Sequence, residues 1–283
     1  MERIQLKDVF TVYLNILEAF DALCEKYQLK YTVFYGTMIG AIRHKGFIPW
    51  DDDVDVAMPR EDYEKLVAMI PSLSQERYKP MCNRSHPKLN TKICYMVDSE
   101  TQVRYSYRKE ANPLSMIHID VYPIDQIPND KAAYTKIIKR QRRLIKWFEL
   151  RCISVDYPRS SKLKKALAYI VKKCVSFASP HTILKVLDKG ARKYSLNSKV
   201  DHSNDLAYIL TIVTKQKPFS AACLDEYITV DFEHLKVKCL AEYDTVLRAI
   251  YGDYMQLPPE DKRKPAGNPY RELYINTQKG SEV

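Results

Sequence analysis

Four carboxylates in five residues, Asp51, Asp52, Asp53 and Asp55, limit what this 283-residue chain can become. Such a cluster repels itself and is costly to bury bare. It follows a β-prone run, Tyr31–Tyr35, a Gly36-Thr37 pair, an apolar segment and a basic triplet, Arg43-His44-Lys45. A strand over 53–57 would put Asp53 and Asp55 on one face and send Val54 and Val56 into a core. Asp51 joins that side if the extended chain reaches back to it. Two carboxylates one residue apart on a strand suit a hard cation such as Mg²⁺, or Mn²⁺, which keeps waters and shares its remaining positions with substrate phosphates. The competing reading is a surface acidic turn whose Asp51 or Asp52 caps a helix.

A third acid belongs to the stretch 115–125, SMIHIDVYPID. Its alternation sets Ile117, Ile119 and Val121 on one face and His118, Asp120 and Tyr122 on the other. Asp125, after Pro123, reads as a turn or cap residue. Elsewhere, residues 3–29 carry an apolar stripe at helical spacing, and residues 38–43 suit a short helix. Its first amides would lie near Gly36-Thr37, where a phosphate is attracted. Pro59 opens a helix near 60–70. Strands are expected within 91–105, 206–214 and 227–239, and helices over 131–150, after Pro180, and over 241–250. Trp50 reads as a packing anchor under the acidic loop.

The string GTMIGAIRHKGFIPWDDDVDVAMPREDY closely resembles the LicD family of the nucleotidyltransferase superfamily, to which fukutin-like proteins are related. The IDVYP of 119–123 and the YGDYMQLPPEDKR of 251–263 resemble it too. The resemblance implies an α+β fold with a mixed sheet flanked by helices and an additional helical segment. It implies a catalytic core over 1–150, a basic helical part over 151–205, and C-terminal strands and a helix over 206–283. It further implies a phosphotransferase that takes a substituted phosphate from a CDP-activated donor, CDP-choline first, to a hydroxyl of a surface or lipid-linked glycan. Asp53, Asp55 and Asp120 are then the catalytic and metal-binding acids, with Asp51 a further ligand. Gly36, Thr37, Arg43 and His44 are the expected contacts of the donor. Relatives often carry a His beyond residue 263; KPAGNPYRELYI has none.

The remaining composition narrows compartment and partners. A net charge of +10 favours anionic partners, and the clustered acids argue against a nucleic-acid groove. The 7 cysteines show no metal or disulfide spacing and read as reduced thiols. MERIQLKDVF lacks the apolar core of a leader, so a cytoplasmic enzyme is expected. The lysine-flanked stretch 162–178 reads either as a core helix with a solvated lysine face or as a helix lying on an anionic inner membrane face.

Overall fold

The computed structural model describes residues 2–4, 6–105, 114–152, 169–170, 173, 176–195, 206–212, 217–263 and 271–275. Its centre is a mixed sheet in the order β2 (Thr32–Val33), β3 (Asp55–Pro59), β7 (His118–Ile127), β5 (Cys94–Asp98) and β4 (Tyr78–Met81). β3 and β7 run parallel, and the other pairs are antiparallel. Two short strands, β8 (Leu206–Tyr208) and β9 (Phe219–Ser220), extend the sheet from the far half of β7. β6 (Thr101–Tyr105) leaves it for a separate three-stranded sheet with β1 (Glu2–Ile4) and β12 (Arg271–Ile275).

Helices cover the sheet because their apolar stripes need it. In α1 (Leu6–Lys26), Tyr13, Ile16, Leu17, Phe20 and Cys24 are buried in the main core with Ile119 and Val121 of β7. α3 (Arg60–Met69) packs on β3 and β7, and α5 (Pro180–Ser195) packs on β7 and against α4 (Lys131–Cys152). Side chains alternate along β7. Asp125 therefore points away from Asp120 and Tyr122, toward the side that carries α3 and α5. There the Arg60 guanidinium holds it with two bonds, at 2.7 and 3.1 Å. A hairpin, β10 (Tyr227–Phe232) and β11 (Leu235–Leu240), docks on β2, where Leu240 N donates to Thr32 Oγ1 at 3.1 Å. α6 (Tyr243–Tyr251) follows it.

The α+β expectation holds, with four local corrections. Residues 2–4 are a strand, not the start of the first helix. They pair antiparallel with residues 273–275, a long-range contact that local periodicity does not contain. The 31–35 strand shrinks to Thr32–Val33, since Phe34 is extended at φ −139° and Tyr35 turns the chain at φ 44° into α2 (Tyr35–Ile39). A π-helical turn, Gly40–His44, continues it. Gly36-Thr37 therefore sit inside the helix rather than ahead of it. The acidic strand begins at Asp55 instead of residue 53, where the ladder to β7 begins. Asp125 is a buried strand residue, not a turn. Residues 153–161 and most of the basic stretch 162–178 lie outside the described residues. The six described cysteines are buried and form no disulfide with one another.

Candidate active site

Asp55 and Asp120 are directly paired in the parallel ladder. Asp120 N donates to Val54 O at 2.9 Å, which locks the register. A parallel pair places opposed side chains on the same face, so both carboxylates rise from one side of the sheet. Thr37 adds a second brace: its hydroxyl accepts the Asp55 N–H at 2.8 Å. Phe34 N donates to Asp55 O at 2.9 Å. The helix that opens at Tyr35 is thus tied to the acidic strand through two bonds with Asp55, one from Phe34 N and one to the Thr37 hydroxyl.

Asp55 is 7% exposed, and its Oδ1 has no hydrogen-bond partner. Burial raises its pKa well above the ordinary carboxylate value, and the charges of Asp53, Asp120 and Asp51 raise it further. Burial also lifts Asp120 to about 6, against the lowering effect of the Tyr122 hydroxyl, which donates to Asp120 Oδ2 at 2.9 Å. His118 Nε2 lies 3.6 Å from the other oxygen. Asp51 is pushed up to about 7 by burial, then by Asp53 and Asp52. Oxygens of Asp51, Asp52 and Asp53 lie within 4.8 Å of one another. Like charges this close raise one another's pKa.

Gly36 has a specific reason to be glycine: a Cβ there would collide with the Asp51 carboxylate. Gly46 is similar, since its place is taken by the Glu233 side chain, which accepts from Phe47 N at 3.0 Å. The hairpin thereby fixes the turn ahead of the acids. Trp50 packs against the main core, with His44 edge-on at 6.2 Å and Arg263 over its ring at 5.7 Å, as expected of an anchor.

Arg43 and His44 are placed differently from the acids. Arg43 Nη1 donates to Tyr254 O, and Arg43 Nε lies 3.4 Å from His44 Nδ1. Burial and the Arg43 charge lower the His44 pKa. No hydrogen bond or ion pair among the described residues joins either to Asp51, Asp53, Asp55 or Asp120. Three tyrosines near the acids were not among the expected site residues. Tyr35 and Tyr122 meet edge-to-face at 5.3 Å. Tyr251, 45% exposed, has its pKa raised by burial and then by Asp55, Asp51 and Asp53. Tyr122 was legible from alternation with Asp120. Tyr251 lay in a family-like tail with no signal connecting it to residue 55.

A mixed sheet whose adjacent parallel strands present paired acids beside a Gly-Thr helix is an arrangement able to handle phosphate-bearing substrates. Comparison with known proteins narrows this. Residues 28–150 match the LicD/FKTN/FKRP nucleotidyltransferase domain. The lipopolysaccharide cholinephosphotransferase LicD of Haemophilus influenzae is 29% identical over 278 residues, spanning 97% of this chain and 100% of that protein. An uncharacterized protein of Rickettsia typhi is 28% identical over 149 residues, 47% of this chain and 48% of its own length. Residues 28–150 are thus similar to the LicD/FKTN/FKRP nucleotidyltransferase domain, and nearly the whole chain is similar to a LicD cholinephosphotransferase.

Proposed function

We propose that this enzyme transfers phosphocholine from CDP-choline to a hydroxyl of lipopolysaccharide, with a divalent ion, Mg²⁺ or Mn²⁺, at the acid cluster. The substrate class rests on the likeness to the Haemophilus enzyme over nearly the whole chain. The observation that carries the site is the pairing of Asp55 with Asp120, together with the buried, unpartnered Asp55 Oδ1. A buried carboxylate oxygen without a donor, among other raised carboxylates, fits a hard cation with oxygen ligands. Asp53, Asp55 and Asp120 would hold it, and Asp51 a second ion or the loop itself. The ion would offset charge on the transferred phosphate and orient it.

The protein's own groups do the rest. Thr37 and Gly36 act as positioning residues, Thr37 through the Asp55 amide and Gly36 by leaving room for Asp51. Their contact with donor phosphates is a second role proposed for the same pair. Asp120, held at Oδ2 by Tyr122, would accept the acceptor hydroxyl's proton through its other oxygen. Arg43 organises the 251–254 tail against the site, and donor contact by Arg43 or His44 requires substrate to bring them in. The proposed enzyme is cytoplasmic and touches the inner membrane face. Exposed Tyr169, Ile170 and Phe177 support that contact, Phe177 being 78% exposed. Among the described residues, no helix is long and apolar enough to cross a membrane.

A donor screen tests this reading. Purified protein is incubated with CDP-choline, CDP-ethanolamine, CDP-glycerol and CDP-ribitol plus lipopolysaccharide, and CMP and product masses are read. Release of CMP with a phosphocholine mass added to lipopolysaccharide is expected. Transfer of CMP itself would instead establish a nucleotidyltransferase. Anionic liposome flotation that weakens with salt tests the membrane contact, and no binding at low salt removes it.

A further inference from the structure

On the side of the sheet opposite the acid cluster lies a cavity of about 280 Å³, between α3, α5 and the loop that follows β4. It is near the lower end of the size range of small-molecule sites. Tyr63, Ile93, Leu184 and Leu187 supply apolar wall. Thr211 also lines it. This residue is 2% exposed, and its hydroxyl oxygen is buried without a partner. A buried hydroxyl left unsatisfied is costly, so its position in a cavity wall points to a polar occupant.

The charges around the cavity say which kind. Arg60, Arg84 and Arg192 converge on Asp188, at 3.3, 3.2 and 3.1 Å. Arg84 also holds Glu64 at 2.7 Å, and Arg60 holds Asp125. Three arginines and three carboxylates thus neutralise one another. Lys92 reaches Glu149 at 3.3 Å. That leaves Lys185 and Lys189, one helical turn apart on α5 at the cavity edge, with no acidic partner among the described residues. Two ammonium groups without an acidic partner among the described residues and a buried hydroxyl match a compact oxyanion. The apolar wall leaves space for a carbon body beside it.

We infer that this cavity is a second binding site that takes a small organic phosphate, its phosphate set between Lys185, Lys189 and the Thr211 hydroxyl. The site goes beyond the transfer reaction and does not depend on which group is transferred. It lies on the helix-covered side of β7, so an occupant here does not touch Asp55 or Asp120.

The test is calorimetric titration of the full-length protein in EDTA, which silences metal-dependent phosphate binding at the acids. The probes are inorganic phosphate, glycerol 3-phosphate and cytidine monophosphate. Saturable binding of an organic phosphate is expected, tighter than that of inorganic phosphate. Lys185→Gln with Lys189→Gln should weaken it about tenfold or more, and Thr211→Val by about tenfold, the loss of a hydrogen bond to a charged group. Asp53→Asn should leave it unchanged. Both lysines are exposed and have no acidic partner among the described residues, and melting reports whether those variants fold. Absence of saturable binding by all three probes overturns the inference. So does binding that survives the lysine and threonine changes, or binding lost in Asp53→Asn, which would place it at the acid cluster.

Discussion

Asp55 and Asp120 face one another across neighbouring parallel strands, and Asp120 N is bonded to the carbonyl of the residue before Asp55. Neither carboxylate can withdraw without breaking the ladder. Asp55→Asn and Asp120→Asn should therefore each lower turnover by about 10³-fold or more, the scale of losing a principal charge-stabilising group. Asp53→Asn, at an exposed position, should abolish turnover in a protein that stays folded. Circular dichroism checks the fold, and CMP release checks the rate. Activity that persists in chelator would remove the metal from the proposal.

The paired strands were legible because β7 alternates cleanly and because Val54 and Val56 interleave the acids. What the sequence did not disclose was long-range. Asp125 looked like a turn residue because Pro123 precedes it and its partner Arg60 lies 65 positions away. Residues 2–4 looked helical because their strand partner lies near the other end of the chain. Thr37 was legible as important but not in its observed contact, since a hydroxyl bonded to an amide 18 residues on leaves no periodic trace. Tyr251 reaches the acids through the placement of α6, which no local pattern encodes.

The acid cluster makes metal-free stability depend on pH in a defined direction. Asp51 and Asp120 have folded pKa values near 7 and 6, above the unfolded value of about 3.9. The folded state then binds more protons than the unfolded state between about pH 4 and 7. Stability from these groups falls as pH rises through that window and returns on acidification. In EDTA, melting should rise between pH 7 and pH 5.5, and Asp120→Asn should raise the pH 7 value and flatten the slope. Saturating Mg²⁺ should flatten it also. A slope unaffected by both changes would remove the acids as its source.

Arg60 and Asp125 form an ion pair with almost no solvent contact, 1% and 0% exposed at their side chains. Burial raises the Asp125 pKa, and the Arg60 charge pulls it back. Removing one partner strands the other, at about 3–5 kcal/mol. Asp125→Leu or Arg60→Met should each destabilise by that amount in urea unfolding. The double variant should recover part of the loss, although Asp188 and Glu64 lose their contacts with Arg60 as well. A double variant as weak as the sum of the singles would show that the pair itself contributes nothing.

Thr37 separates positioning from mere packing. Its side chain is buried, and its oxygen accepts the backbone N–H of Asp55 at 2.8 Å. Thr37→Val keeps the shape and removes the acceptor, so the Asp55 amide loses its only bond to α2. The cost to stability should be about 1–3 kcal/mol, that of one unsatisfied buried amide. The cost to catalysis should be larger, because the carboxylate that follows this amide loses its anchor and small misplacements are expensive. Thr37→Ser retains the hydroxyl and should retain most of the rate while losing the methyl's packing. The informative measurement is the split between kcat and KM, with the Mg²⁺ dependence of both. A positioning role predicts that Thr37→Val lowers kcat and raises the Mg²⁺ concentration needed for half activity, and that Thr37→Ser restores both. Equal rates in the two variants, with differences only in melting, would assign Thr37 to packing alone.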